Sequence, residues 1–149
     1  MEFSWIGTAI AAAVLLPNLV LAVLPPRIGT LPQPSVNVVF TALERAGQLG
    51  CLVLLVFVAG SYSQPLWGIL VALCIATYWS LWLRYIVTRN VRVLFAPLWR
   101  LPIPMAVFPV LTFALAAVWA GSPWIGLAAA VLAVGHLTVS WKSWQALNA

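Results

Sequence analysis

The sequence predicts an all-α integral membrane protein. It reads as one membrane domain, residues 1–149, folded as a bundle of five transmembrane helices with the N-terminus outside and the C-terminus cytoplasmic. Three observations carry this. Of the 149 residues, 64% are hydrophobic and only 6% charged, against about 25% charged in a soluble domain, so the charges cannot coat a water-facing surface. Five apolar stretches are long enough for a helix rising about 1.5 Å per residue to cross a hydrocarbon core of about 30 Å. All the Lys and Arg residues, seven together, fall on one side of the resulting topology.

The first span covers about 5–24 and stops at Pro25-Pro26-Arg27. Its head carries Glu2 rather than Lys or Arg, and no small-residue cleavage site follows, so it reads as an uncleaved span rather than a signal peptide. The second, about 38–61, ends at Ser61-Tyr62-Ser63-Gln64-Pro65. A third, about 66–87, is closed by Thr88-Arg89-Asn90. The fourth, about 103–120, is shorter and carries Pro109; the fifth covers about 123–144. Runs such as Leu52-Val53-Leu54-Leu55-Val56-Phe57-Val58 do not alternate as barrel strands must. The predicted cytoplasmic loops repeat proline, at Pro25-Pro26, Pro32-Gln33-Pro34 and Pro102-Ile103-Pro104, which ends helices and stiffens connections.

Orientation follows from charge. Arg27 lies in the first loop and Arg45 in the adjacent turns of the second span. Arg84, Arg89, Arg92 and Arg100 surround the third connection, and Lys142 ends the fifth span. The excess of cations on cytoplasmic loops then places the chain as a multi-pass protein of the inner (plasma) membrane. The net charge of +5 comes from singly spread residues with no basic stretch to follow a phosphate backbone, which excludes nucleic acid as a partner. Most of the nine Trp fall near span ends, where indoles anchor at the interface. Trp79, beside Tyr78 within the third span, is an exception.

Strongly polar groups inside a span are costly and point to function by default. In the second span Asn37, Thr41, Glu44 and Gln48 share one helix face. Glu44 counts to roughly 9 Å from the cytoplasmic end by helical rise. Arg84 is the candidate cation for it. Such an ion pair would fix packing and hold Glu44 ionised; an unpaired Glu44 would be a proton carrier. His136, the only histidine, counts to roughly 18 Å from the outer face, with Ser140 one turn later. It is either a buried neutral imidazole bonded to a backbone carbonyl or an acid–base and ligand-contacting group. Asn18 follows Pro17, which frees a carbonyl of the preceding turn and marks a kink or polar backbone facing a cavity. Asn18, Glu44, Arg84 and His136 come from four spans yet share the cytoplasmic half. Their common depth predicts a polar cavity near the inner leaflet, lined by these residues with Gln48, Tyr78 and Trp79.

One His, two Cys and one intramembrane carboxylate give no metal-ligand spacing, and no nucleotide, nucleophile or metalloprotease fingerprint is present. Neither a metal nor a cofactor is expected. Cys51 and Cys74 count to similar depths in neighbouring spans, as packing residues or as a contacting pair. Small residues spaced by four, as in Gly7–Ala11, Ala9–Ala13 and Gly126–Ala130, suit close helix contact within one chain or in a homodimer. In size, helix number and tryptophan content the chain resembles the layout of the tryptophan-rich sensory proteins, which bind porphyrin or sterol-like ligands; the likeness carries no site residue across.

The function expected is binding or transport of a small amphipathic or anionic molecule in that cavity. Arg84 would meet an anionic group, Glu44 and His136 would handle protons or hydrogen bonds, and Tyr78 and Trp79 would contact the apolar part. Two alternatives stand beside it. One is a non-catalytic accessory subunit held by a partner membrane protein. The other is an enzyme modifying membrane lipids at the inner leaflet, with Glu44 and His136 as acid and base.

Overall fold

A computed structural model describes residues 2–58 and 60–148. It is all-helical, with no strand among the described residues. Four helices are long and apolar enough to cross a membrane: α1 Trp5–Val23, α2 Val38–Phe57, α3 Pro65–Thr88 and α5 Pro123–Asn148. Between the last two lies α4, Pro104–Ala120, also apolar but shorter.

Ser4 starts α1 by accepting a hydrogen bond from the Gly7 amide at 3.0 Å, the usual service of a hydroxyl to an orphan N–H. The α-helix gives way to a 3-10 turn over Leu16–Leu19 before resuming at Val20–Val23. Pro17 is the cause: it has no N–H, and its ring crowds the carbonyl four residues back, that of Ala13. The Trp79 indole on α3 donates to this carbonyl at 2.9 Å.

Asn37 caps α2, its Oδ1 accepting from the Val39 amide at 3.0 Å. The helix stops at Phe57, short of the expected 61, and Val58 is extended. Beyond it the chain follows the end of α4: Ser61 donates its amide to the Ala120 carbonyl at 3.3 Å, and Gly60 lies against Ala120 too closely for any Cβ. Ala59, inside the expected span, lies outside the described residues. Pro109 sits within an unbroken α4. That helix ends on Gly121 at φ 64°, while the Ser122 amide bonds to the Ala117 carbonyl at 3.0 Å, a left-handed stop suited to glycine. The short link turns the chain directly into α5, which continues to Asn148 rather than the expected 144.

α2 packs most extensively on α5, α4 packs on both α3 and α5, and α1 touches α2 and α4. Among lipid tails an apolar side chain gains little by leaving the hydrocarbon, so close van der Waals contact has to hold helices together. The α2–α5 seam shows how. Gly47 abuts the backbone of Leu132, and Gly135 abuts the backbone of Glu44 and Phe40, so a Cβ at either glycine would overlap the facing helix. Buried apolar residues form two clusters, one including Leu55, Phe113 and Ile125, the other Tyr78, Trp82, Tyr85 and Leu94.

The loop after α1 is tied to the end of α3. Arg89, at φ 51°, accepts the Arg27 and Ile28 amides on its carbonyl at 2.9 and 3.1 Å. Its guanidinium returns two hydrogen bonds to the Pro25 carbonyl, from Nε at 3.1 Å and from Nη2 at 2.6 Å. The buried Tyr85 hydroxyl donates to the Leu24 carbonyl at 2.9 Å.

Candidate binding cavity

A cavity of about 220 Å³ lies where the two apolar clusters meet. Val14, Asn18 and Leu21 of α1 line it, with Gln48 of α2 and Tyr78 and Trp82 of α3. From α4 come Met105, Ala106, Pro109 and Phe113; from α5, Leu132, His136 and Ser140; the connections add Leu31, Leu94, Phe95 and Ile103. No Lys or Arg is among these residues.

Its polar groups fall into two sets. In the first, His136 Nδ1 and Glu44 Oε1 are 2.6 Å apart. The two side chains are 27% and 21% exposed, so water screens the contact only in part. The backbone contact at Gly135 brings α5 onto α2 at Glu44 itself, which sets the imidazole of the next residue beside that carboxylate. With Nδ1 engaged, Nε2 is the ring nitrogen left for an occupant of the cavity, and the carboxylate fixes ring orientation. Gln48 lies one turn from Glu44 on the same face and makes no side-chain hydrogen bond among the described residues.

In the second set, the Tyr78 hydroxyl donates to Asn18 Oδ1 at 3.1 Å. Trp82, only 3% exposed, packs edge-on against both Tyr78 and Tyr85. Its Nε1 makes no hydrogen bond and is sealed within the packing, as is that of Trp119. In the α4 wall, Pro109 withholds the amide that would bond to the Met105 carbonyl, and both residues line the cavity.

Of the residues singled out in the sequence, Asn18, Gln48, Tyr78 and His136 meet at the cavity, and Glu44 joins through His136. Arg84 and Trp79 do not line it. The expected candidate pair of Glu44 with Arg84 does not form, because helix rotation separates them. The buried face of α3 carries Tyr78, Leu81, Trp82 and Tyr85; at 100° per residue Arg84 points about 110° away on one side and Trp79 about 110° on the other. Arg84 is exposed, in a shallow groove with Ser80, Leu83, Val87, Thr88 and Val93. Trp79 is 43% exposed and serves the backbone of α1 instead.

Two of the cavity residues with polar side-chain atoms were outside the expected set. Trp82 had the look of an interfacial anchor, although its spacing of four from Tyr78 puts both on one helix face. Ser140 stands one turn beyond His136 and lines the same space. Among the described residues no three His, Cys, Asp or Glu side chains gather to hold a metal ion, and both cysteines are free thiols, Cys51 buried. Compared with known protein families, curated proteins and solved structures, the chain has no match.

Proposed function

We propose that the chain is a five-span membrane protein that binds or carries a small amphipathic molecule in this cavity. The observation that supports the reading is the cavity itself, an apolar chamber with a few convergent polar groups, the usual form of a small-molecule site. An apolar cavity of about 150 Å³ is enough for a benzene-sized molecule, so about 220 Å³ suits a modest ring system. With no Lys or Arg in its lining, a neutral amphiphile fits better than an anion.

The topology belongs to the same proposal. The 17 residues of α4 rise about 25 Å, close to a hydrocarbon thickness of about 30 Å, and flanking α3 and α5 shelter the remainder. The loop that holds Arg27 is bonded to the segment that holds Arg89, which puts these two cations at one end of the bundle. By the positive-inside rule the reading takes that end as cytoplasmic, and it assigns the chain to the inner (plasma) membrane. In a Cys51→Ala, Cys74→Ala background, a cysteine at the exposed Ser63 should then label from outside and one at the exposed Ser35 only after permeabilisation. The reverse pattern would invert the topology.

The binding test is a thermal-shift screen of the purified protein against neutral amphiphiles, with Ala106→Phe as a cavity-filling control. Raised melting temperatures that vanish in the control support the reading. A cooperatively melting protein stabilised by nothing in a broad panel would sink it.

A second reading draws on one arrangement: a carboxylate-oriented imidazole shares its chamber with the Ser140 hydroxyl. It is an enzyme acting on inner-leaflet lipids with His136 as general base. Lipid turnover by reconstituted protein, lost in His136→Ala and Ser140→Ala, would favour it over simple binding.

A further inference from the structure

The seven Lys and Arg residues of the chain have only two acidic counterparts, Glu2 and Glu44. Glu44 is engaged with His136 at 2.6 Å. Glu2 precedes the start of α1, whereas Arg84 adjoins Tyr85, whose hydroxyl meets the end of α1 at Leu24. The two therefore stand at opposite ends of the bundle. Among the described residues no acidic side chain pairs with Arg84, so its counter-charge has to come from outside the chain.

The surroundings of Arg84 say what kind of anion fits. It lies one turn, about 6 Å, before the end of α3 at Thr88, a depth from which a long cationic side chain reaches the phosphate layer of a membrane. With Ser80, Leu83, Val87 and Thr88 it forms one wall of a groove whose other side is Val93, from the short helical turn Val91–Leu94. Leu83 and Val87 are 59% and 76% exposed, an apolar strip beside a charge. The Ser80 and Thr88 hydroxyls donate to the Thr77 and Arg84 carbonyls at 2.6 and 2.8 Å, which leaves the guanidinium as the groove's donor toward an anion. Its planar fork of N–H groups matches the oxygens of a phosphate. Arg92, exposed and next to Val93, adds positive charge. No carboxylate lines the groove to receive the ammonium of a zwitterionic headgroup, so a net-negative headgroup is favoured.

We infer that this groove is a binding site for an anionic phospholipid, its phosphate held by the Arg84 guanidinium and an acyl chain laid over Leu83 and Val87. The site is separate from the cavity and does not depend on what fills that chamber.

The test uses the full chain in neutral detergent, with phosphatidylglycerol and phosphatidylcholine of matched acyl chains as probes. Native mass spectrometry should show the first phosphatidylglycerol binding about fivefold tighter than phosphatidylcholine. Arg84→Gln should remove most of that preference. Arg45→Gln, which removes an exposed cation on α2, should keep it. A photoactivatable phosphatidylglycerol should crosslink to residues 80–93 of the unaltered protein, which decides the matter even if a variant fails to fold. Equal binding of the two lipids, an equal effect of the two substitutions, or crosslinks scattered over the helices overturns the site. Displacement of the bound lipid by millimolar inorganic phosphate would assign the groove to a free anion and overturn the lipid as its occupant.

Discussion

The Trp79 indole donates to the Ala13 carbonyl at 2.9 Å, the carbonyl that Pro17 deprives of its helical amide. Within a membrane a free carbonyl has no water to turn to, so a side chain from the neighbouring helix repairs the ladder. Trp79→Phe removes the repair and should destabilise the protein by about 1–3 kcal/mol. Pro17→Ala restores the amide, so the same Trp79 change should cost distinctly less in that background. A double-mutant cycle on thermal unfolding in detergent reads the coupling directly, and strict additivity would count against the link.

Glu44 and His136 form a second pair whose worth is measurable. Glu44→Ala leaves Nδ1 without its partner and should lower stability by about 1–3 kcal/mol. Glu44→Gln keeps an acceptor in place and should lose less. Arg84→Ala, at an exposed position away from the cavity, should stay within about 0.5 kcal/mol of the parent. Denaturation of the three variants side by side settles the order.

At Gly135 there is no room for a methyl group against the Glu44 backbone. Gly135→Ala should therefore push α5 from α2, at a cost of about 1–3 kcal/mol, and disturb ligand binding through His136. Gly126→Ala is the matched control, since its Cβ would rest 3.8 Å from that of Ala117, an ordinary contact. A melting temperature equal for the two variants would refute the tight seam.

Arg89 invites a loop prediction. Arg89→Ala loses both guanidinium bonds to Pro25 yet keeps a backbone carbonyl for Arg27 and Ile28. Stability should fall by about 1–2 kcal/mol, while hydrogen exchange should quicken at the Arg27 and Ile28 amides more than within α2 or α5.

Depth along each helix was legible in the sequence because helical rise is constant, and rise alone puts Asn18, Tyr78 and His136 at comparable levels. Rotation was not legible. An amphipathic helix declares its inner face, but α3 is apolar nearly all round, and nothing in its pattern says whether Tyr78 or Trp79 points inward. That is why Arg84 and Trp79 were grouped with residues from which the structure separates them. Glu44 found its partner through Gly135, a residue whose only mark is the absence of a side chain. Helix ends were read from Pro and Gly, and the early stop of α2 at Phe57 comes instead from a tertiary contact with Ala120, which no local signal announces.

The seam at Gly47 and Gly135 has a consequence for the mechanics of the cavity. Two helices meshed backbone to backbone cannot slide or part without losing contact along their whole shared length. α2 and α5 therefore act as a fixed wall, and they carry the Glu44–His136 pair with them. The opposite flank of the chamber is less tightly built. There α1 is broken by its 3-10 turn beside Asn18, and Leu31 covers the chamber from a connection rather than from a helix. In the proposed binder, the yielding side of the chamber would be that of Asn18 and Tyr78, and the fixed side that of the acid–imidazole pair.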